Sequence, residues 1–175
     1  MLKYINRREV VGLLKSGGIS GAITNPDGKE ELEWAAEEYK KIRKDDYDIL
    51  RVVRNFNNKY TEKQIRKIKN YLFLEKHDLG DKTDYFDVDV AIAQSWQRLS
   101  SNHPESILPH DKLLIEHEIY EMYLQETRGL SQNDAHIVAS AIYNYQVESD
   151  KYYRERKNKY GDNKRNPVSG RFNKS

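Results

Sequence analysis

All five histidines in this chain stand one or two residues from a carboxylate, and four of them draw attention: His77 beside Asp78, His110 beside Asp111, His117 beside Glu118, and His136 two after Asp134. Imidazole and carboxylate together ligate zinc and other transition metals. They also exchange protons near neutral pH. His117 and Glu121 are four apart and therefore share a face of any helix that carries them. His110 and His117, seven apart, share that face too. The pair His117-Glu118 begins like the zinc-peptidase motif H-E-x-x-H, but the fifth residue is Glu121, so the motif is broken there.

The elements that must position these groups can be read from their flanks. Residues 111–127 have helical periodicity, and Gly129 suits the left-handed residue that ends a helix. Ser131 suits the cap of a second helix, with Asp134 at its third position. The result is an antiparallel helix hairpin. At about 1.5 Å per residue, Glu121 lies roughly 9 Å before the end of the first helix and His136 roughly 7–8 Å after the start of the second. His117, Glu121 and His136 are then level and can converge. Asp134 points about 200° away from His136 and is a poor partner for it. Two uses fit the spacing. One is a divalent metal or acid–base centre of His117, Glu121 and His136, with Glu118 as a further catalytic group and His110 as a further metal ligand. The other is a polar seam, with the histidines bonded to Glu121, Tyr120 or backbone.

Composition narrows the setting. Charged residues make up 33% and hydrophobic residues 37%, which fits helices with well-solvated outer faces. A net charge of +2 does not announce a nucleic-acid binder. The absence of cysteine excludes disulfides and thiolate metal sites. No signal peptide or membrane span is read, so a cytoplasmic place is expected.

The rest of the chain reads as helices and their punctuation. Asn6 and Glu9 form a capping box for a helix over residues 7–15, followed by a glycine-rich connection through residue 28. Asp27 with Glu30 is expected to cap a helix that runs to Lys44, and Asp45-Asp46 restart the pattern until Asn57-Asn58. Thr61 and Gln64 form another capping box, with Ile65, Ile68, Tyr71 and Leu72 as the buried stripe. Lys63, Arg66, Lys67 and Lys69 form a basic face that could meet phosphate. Asp87 is expected to cap a helix over residues 88–99 whose core is Ile92, Trp96 and Leu99. Residues 161–175 have the composition of a disordered basic tail.

Five phrases occur in order: SGAITNP from Ser20, IKNYLFLEKHDL from Ile68, FDVDVAIAQSWQRL from Phe86, LLIEHEIYEMYL from Leu113 and NDAHIVASAIYNY from Asn133. Together they resemble the C-terminal toxin-like module of MuF-type phage minor head proteins and of bacterial polymorphic toxins. The resemblance implies an effector in a host or target bacterium, often a hydrolase and most plausibly a nuclease; here it would use His117, Glu121 and His136 with help from His77, Asp78, His110 or Glu118. It also implies nucleic acid or a host or immunity protein as partner. The alternative is a non-enzymatic phage accessory protein that modulates host defence by binding. The expected fold is all-α: one domain over residues 1–160, of six or seven helices around the central hairpin.

Overall fold

The computed structural model describes residues 23–160. The expected helix at 7–15, its Asn6–Glu9 capping box and the tail at 161–175 lie outside the described residues. Seven α-helices occur among the described residues: α1 Lys29–Lys44, α2 Asp48–Asn55, α3 Glu62–Lys69, α4 Val90–Leu99, α5 Pro109–Arg128, α6 Gln132–Ile142 and α7 Tyr145–Tyr160. A π-helical turn, Asn70–Leu74, continues α3. Two two-residue strands, β1 His77–Asp78 and β2 Thr83–Asp84, pair antiparallel with His77 opposite Asp84. The fold is all-α apart from this small hairpin.

Helix α5 is the hub. It packs against α3, α4, α6 and α7, and most extensively against α6. Gly129 ends it with a φ of 68°, as the left-handed position requires. The Ser131 hydroxyl accepts from the Asp134 N–H at 3.1 Å and opens α6. The hairpin expected from the sequence is therefore the observed one, with α5 starting two residues earlier at Pro109, where proline fits a first helical turn.

Helix α4 is the interior element, with eight of its ten residues buried. Trp96 and Leu99 lie in the core as expected, packed with Tyr39, Ile49, Ile65, Phe73 and Ile115. Three buried polar side chains accompany them, each with a partner. Ser95 Oγ meets Tyr145 Oη at 3.0 Å, Gln94 accepts from the Tyr153 hydroxyl, and Arg98 grips Asp111. That last pair is bidentate, Nε to Oδ2 at 2.6 Å and Nη2 to Oδ1 at 2.7 Å, with both side chains fully enclosed. Asp111 Oδ2 also accepts from the Leu108 N–H at 2.8 Å, so one carboxylate starts α5 and anchors it to α4. A second buried pair, Lys69 Nζ to Asp48 Oδ1 at 2.8 Å, is joined by Trp96 Nε1 donating to Asp48 Oδ2 at 2.9 Å.

Several local expectations need correction. Gly28, not Asp27, is the residue before α1, and no side-chain hydrogen bond caps it. The Glu31 carboxylate folds back into the space a Cβ at Gly28 would need. Asp89, not Asp87, caps α4: its Oδ1 accepts from the Ile92 N–H at 2.8 Å, while its own N–H donates to the Tyr39 hydroxyl at 3.2 Å. Lys69 leaves the basic face altogether, because it is buried against Asp48. Arg66 and Lys67 on that face pair with Glu62 and Glu126. The Thr61–Gln64 capping box forms as expected, and Asn57 and Asn58 end α2 with φ of 52° and 58°.

The burial of the Arg98–Asp111 pair generates a prediction. Asp111→Ala leaves a guanidinium buried without its counter-charge and should cost about 3–5 kcal/mol. The double change Arg98→Met with Asp111→Leu should recover most of that loss, as read by urea unfolding. Equal stability of Asp111→Ala and the parent would contradict the anchoring role.

Candidate metal centre

The α5–α6 hairpin brings His117, Glu121 and His136 to one point. His117 Nε2 lies 3.2 Å from Glu121 Oε2 and 3.2 Å from His136 Nδ1, and His136 Nδ1 lies 3.1 Å from Glu121 Oε2. His117 and Glu121 are buried, whereas the His136 side chain is 61% exposed. The centre thus sits at the surface end of a buried pair.

Donor and acceptor chemistry decides what this triangle needs. His117 Nδ1 lies 3.0 Å from the Tyr143 carbonyl, which can only accept. Nδ1 therefore carries a proton, and in the neutral ring Nε2 presents a lone pair. Glu121 Oε2 presents lone pairs as well. That edge of the triangle is repulsive unless a positive charge sits at its centre: either a second proton on His117 or a metal cation. Without a metal the proton is favoured. Burial opposes charge on His117, but the Glu121 hydrogen bond and the neighbouring Glu118 outweigh it and raise its pKa. Burial likewise works against the Glu121 charge, and the hydrogen bonds from His117 and His136 more than offset it, lowering its pKa.

The same triangle fits a metal. Ligand atoms about 2.0–2.1 Å from a tetrahedral zinc ion are about 3.3 Å apart, close to the observed edges. The surroundings match as well. A histidine ligand whose other nitrogen donates to a backbone carbonyl is fixed in tautomer and orientation. The second Glu121 oxygen accepts from the Tyr71 hydroxyl at 3.3 Å, and Gln132 donates to that hydroxyl in turn. Two histidines and one glutamate are a hydrolytic zinc ligand set, which leaves one position open.

Beside the centre lies a cleft of about 620 Å³ that Glu121 and His136 help to line, together with Tyr71, Phe86, Asp78, Asp87 and Glu118 among others. A smaller cavity of about 140 Å³ adjoins the same Tyr71–Glu121 pair and shares Glu118. Glu118 is 7% exposed and has no hydrogen-bond partner among the described residues. Burial pushes its carboxyl up to about 8. It follows the first histidine directly, the place occupied by the general base in the zinc-peptidase motif. Glu121 stands where that motif has its second histidine, so the break in the motif exchanges one nitrogen ligand for an oxygen.

Two sequence candidates lie elsewhere. His110 accepts from Arg98 Nη2 at 3.2 Å, is buried, and has its pKa lowered by burial first. Its nearness to Asp111 Oδ1, 3.4 Å, is proximity, since the same nitrogen is already an acceptor. The reason it misses the centre is distance: seven residues carry it about 10 Å along the helix. His77 stacks on Phe86 with ring centroids 3.9 Å apart, and its Nε2 donates to the Tyr71 carbonyl at 2.8 Å. It braces Tyr71 and does not join the cluster. Asp134 is spent on the cap, accepting from Ser131 Oγ at 2.8 Å. Tyr71, Gln132 and Asp87 went unrecognised as site residues: the sequence showed Tyr71 only as part of a helical stripe and Asp87 only as a cap.

Purified protein incubated with zinc and desalted should retain one metal ion per chain. His117→Ala and Glu121→Gln should each lose it, and His110→Ala should keep it, by elemental analysis. Affinity should fall as pH drops, because the raised pKa of His117 lets a proton compete at its Nε2. Retention of full stoichiometry in both ligand variants would place the metal elsewhere. The chain matches no family model, no curated protein and no solved structure, so its functional reading rests on this centre.

Proposed function

We propose that the chain is a metal-dependent hydrolase, an effector of the kind its resemblance to phage and toxin modules implies. The observation that supports this most is the triangle of His117 Nε2, Glu121 Oε2 and His136 Nδ1, with edges of 3.1–3.2 Å, beside an open cleft. A divalent cation held there would supply Lewis acidity next to the substrate. His117 and Glu121 would hold it from the buried side, and His136 from the rim. Glu118 would take a proton from the attacking water and return it to the leaving group. Tyr71 would steady Glu121 and face the substrate.

The second reading is a binding protein without chemistry. It is favoured by the fact that a protonated His117 satisfies the same triangle without a metal. The two readings separate on one variant. Glu118→Gln keeps the three metal ligands, so it should bind zinc as the parent does. Hydrolysis, assayed on mixed protein and nucleic-acid substrates, should fall about 10²-fold or more. Chelation should abolish it in the parent. Hydrolysis that survives both Glu118→Gln and chelation would refute the proposed centre. Stoichiometric metal with no hydrolysis of any substrate would favour the binding protein.

A further inference from the structure

The cavities beside the centre carry an unbalanced charge. Among the described residues the larger is lined by Asp78, Asp87, Glu118 and Glu121, with no lysine or arginine among them. The smaller adds Glu75 and Glu126, and the one cation among its described lining residues, Lys67, is ion-paired with Glu126. Even a divalent cation on the centre would leave this surface net negative. Between the carboxylates lie Leu72, Phe86 and Ile92, which give the larger cleft an apolar wall. Glu118, nearly fully buried and without a hydrogen-bond partner among the described residues, lines both cavities and is open to a donor from a bound ligand.

A phosphodiester substrate needs cations along its backbone. Here it would meet the reverse, at like-charge cost. An extended polypeptide meets no such cost. Its apolar side chains suit the Leu72–Phe86–Ile92 wall, and basic side chains suit Asp78 and Asp87 at the rim. We infer that the substrate of this centre is an extended peptide segment that places a lysine or arginine against Asp78 and Asp87. This rests on the hydrolase reading above and deepens it. The reaction would be amide hydrolysis. Water oxygen adds to the scissile carbonyl carbon, Glu118 carries one water proton to the leaving nitrogen, and the C–N bond breaks to give a carboxylic acid and an amine; the acid proton then passes to the amine, leaving a carboxylate and an ammonium.

Binding and cleavage are tested apart. Fluorescence anisotropy of the whole protein, without added metal, would compare an extended peptide alternating leucine and arginine, the same peptide with glutamate for arginine, and a single-stranded oligonucleotide. The arginine peptide should bind at least about tenfold more tightly than either other probe, with the preference weakened by salt. Asp78→Asn combined with Asp87→Asn should remove most of that preference, and Glu105→Gln, an exposed carboxylate elsewhere, should not. Equal or tighter binding of the oligonucleotide would overturn the inference, and so would a preference untouched by the double variant. Zinc-loaded parent protein should then cleave the arginine peptide and not the oligonucleotide. Metal-dependent cleavage of the oligonucleotide alone would overturn the peptide assignment while upholding the hydrolase. Selective peptide binding without any hydrolysis would uphold the surface and reject the hydrolase.

Discussion

The Arg98–Asp111 pair is the constraint on which the rest of the structure depends. Neither side chain is accessible to water, so each charge is tolerable only because the other meets it through two hydrogen bonds. Such a pair contributes less to net stability than to geometry, because it admits one arrangement and penalises the rest. Here the arrangement fixes the start of α5 against the most buried helix, α4. His117, Glu118 and Glu121 follow along α5, one to three turns further on. Their height and rotation are thus set by a contact that none of them makes. His110 is part of the same lock, which is why its imidazole is committed to Arg98.

The centre itself obeys the opposite rule. Acceptors are brought together without a fixed donor between two of them, and the surrounding groups hold them there. The Tyr143 carbonyl fixes one ring, the Tyr71 hydroxyl fixes the carboxylate, and His77 with Phe86 fixes the backbone of Tyr71. An arrangement so supported, yet lacking only positive charge, is organised before that charge arrives.

Much of this was legible in the sequence, for identifiable reasons. Helix α5, its glycine stop and the Ser131 cap are local signals, and a hairpin converts residue spacing into height, so the meeting of His117, Glu121 and His136 follows from arithmetic. His110 misled because helical periodicity reports rotation and not distance along the axis. Lys69 misled because its partner, Asp48, lies on another helix, and nothing near it in sequence announces burial. Asp87 and Asp89 are both plausible caps. The choice fell to Tyr39, whose hydroxyl receives the Asp89 N–H from across the core. Tyr71 was assigned to a regular buried stripe. The π-helical turn from Asn70 to Leu74 departs from that regular spacing, and Tyr71 meets Glu121 from it.

Helix α6 buries only Ala135 and Ala139, while Ile137, Val138 and Ile142 stand exposed. Two methyl groups are a weak purchase for an eleven-residue helix, given that each buried methylene-sized group stabilises by only about 0.8 kcal/mol. Most of what remains to hold α6 is polar and runs through the centre: His136 to Glu121, and His117 to the carbonyl at the helix end. A cation there would be a rivet as well as a reagent. Free-metal concentration would then tune the order of α6, because whatever binds only the closed hairpin draws the open one toward it. The rim of the cleft, which includes Ser131, Gln132 and His136, would firm or loosen with it. In a metal-poor medium the protein would keep its core, the apolar wall and the acidic rim of its cleft, and only the α6 side would loosen.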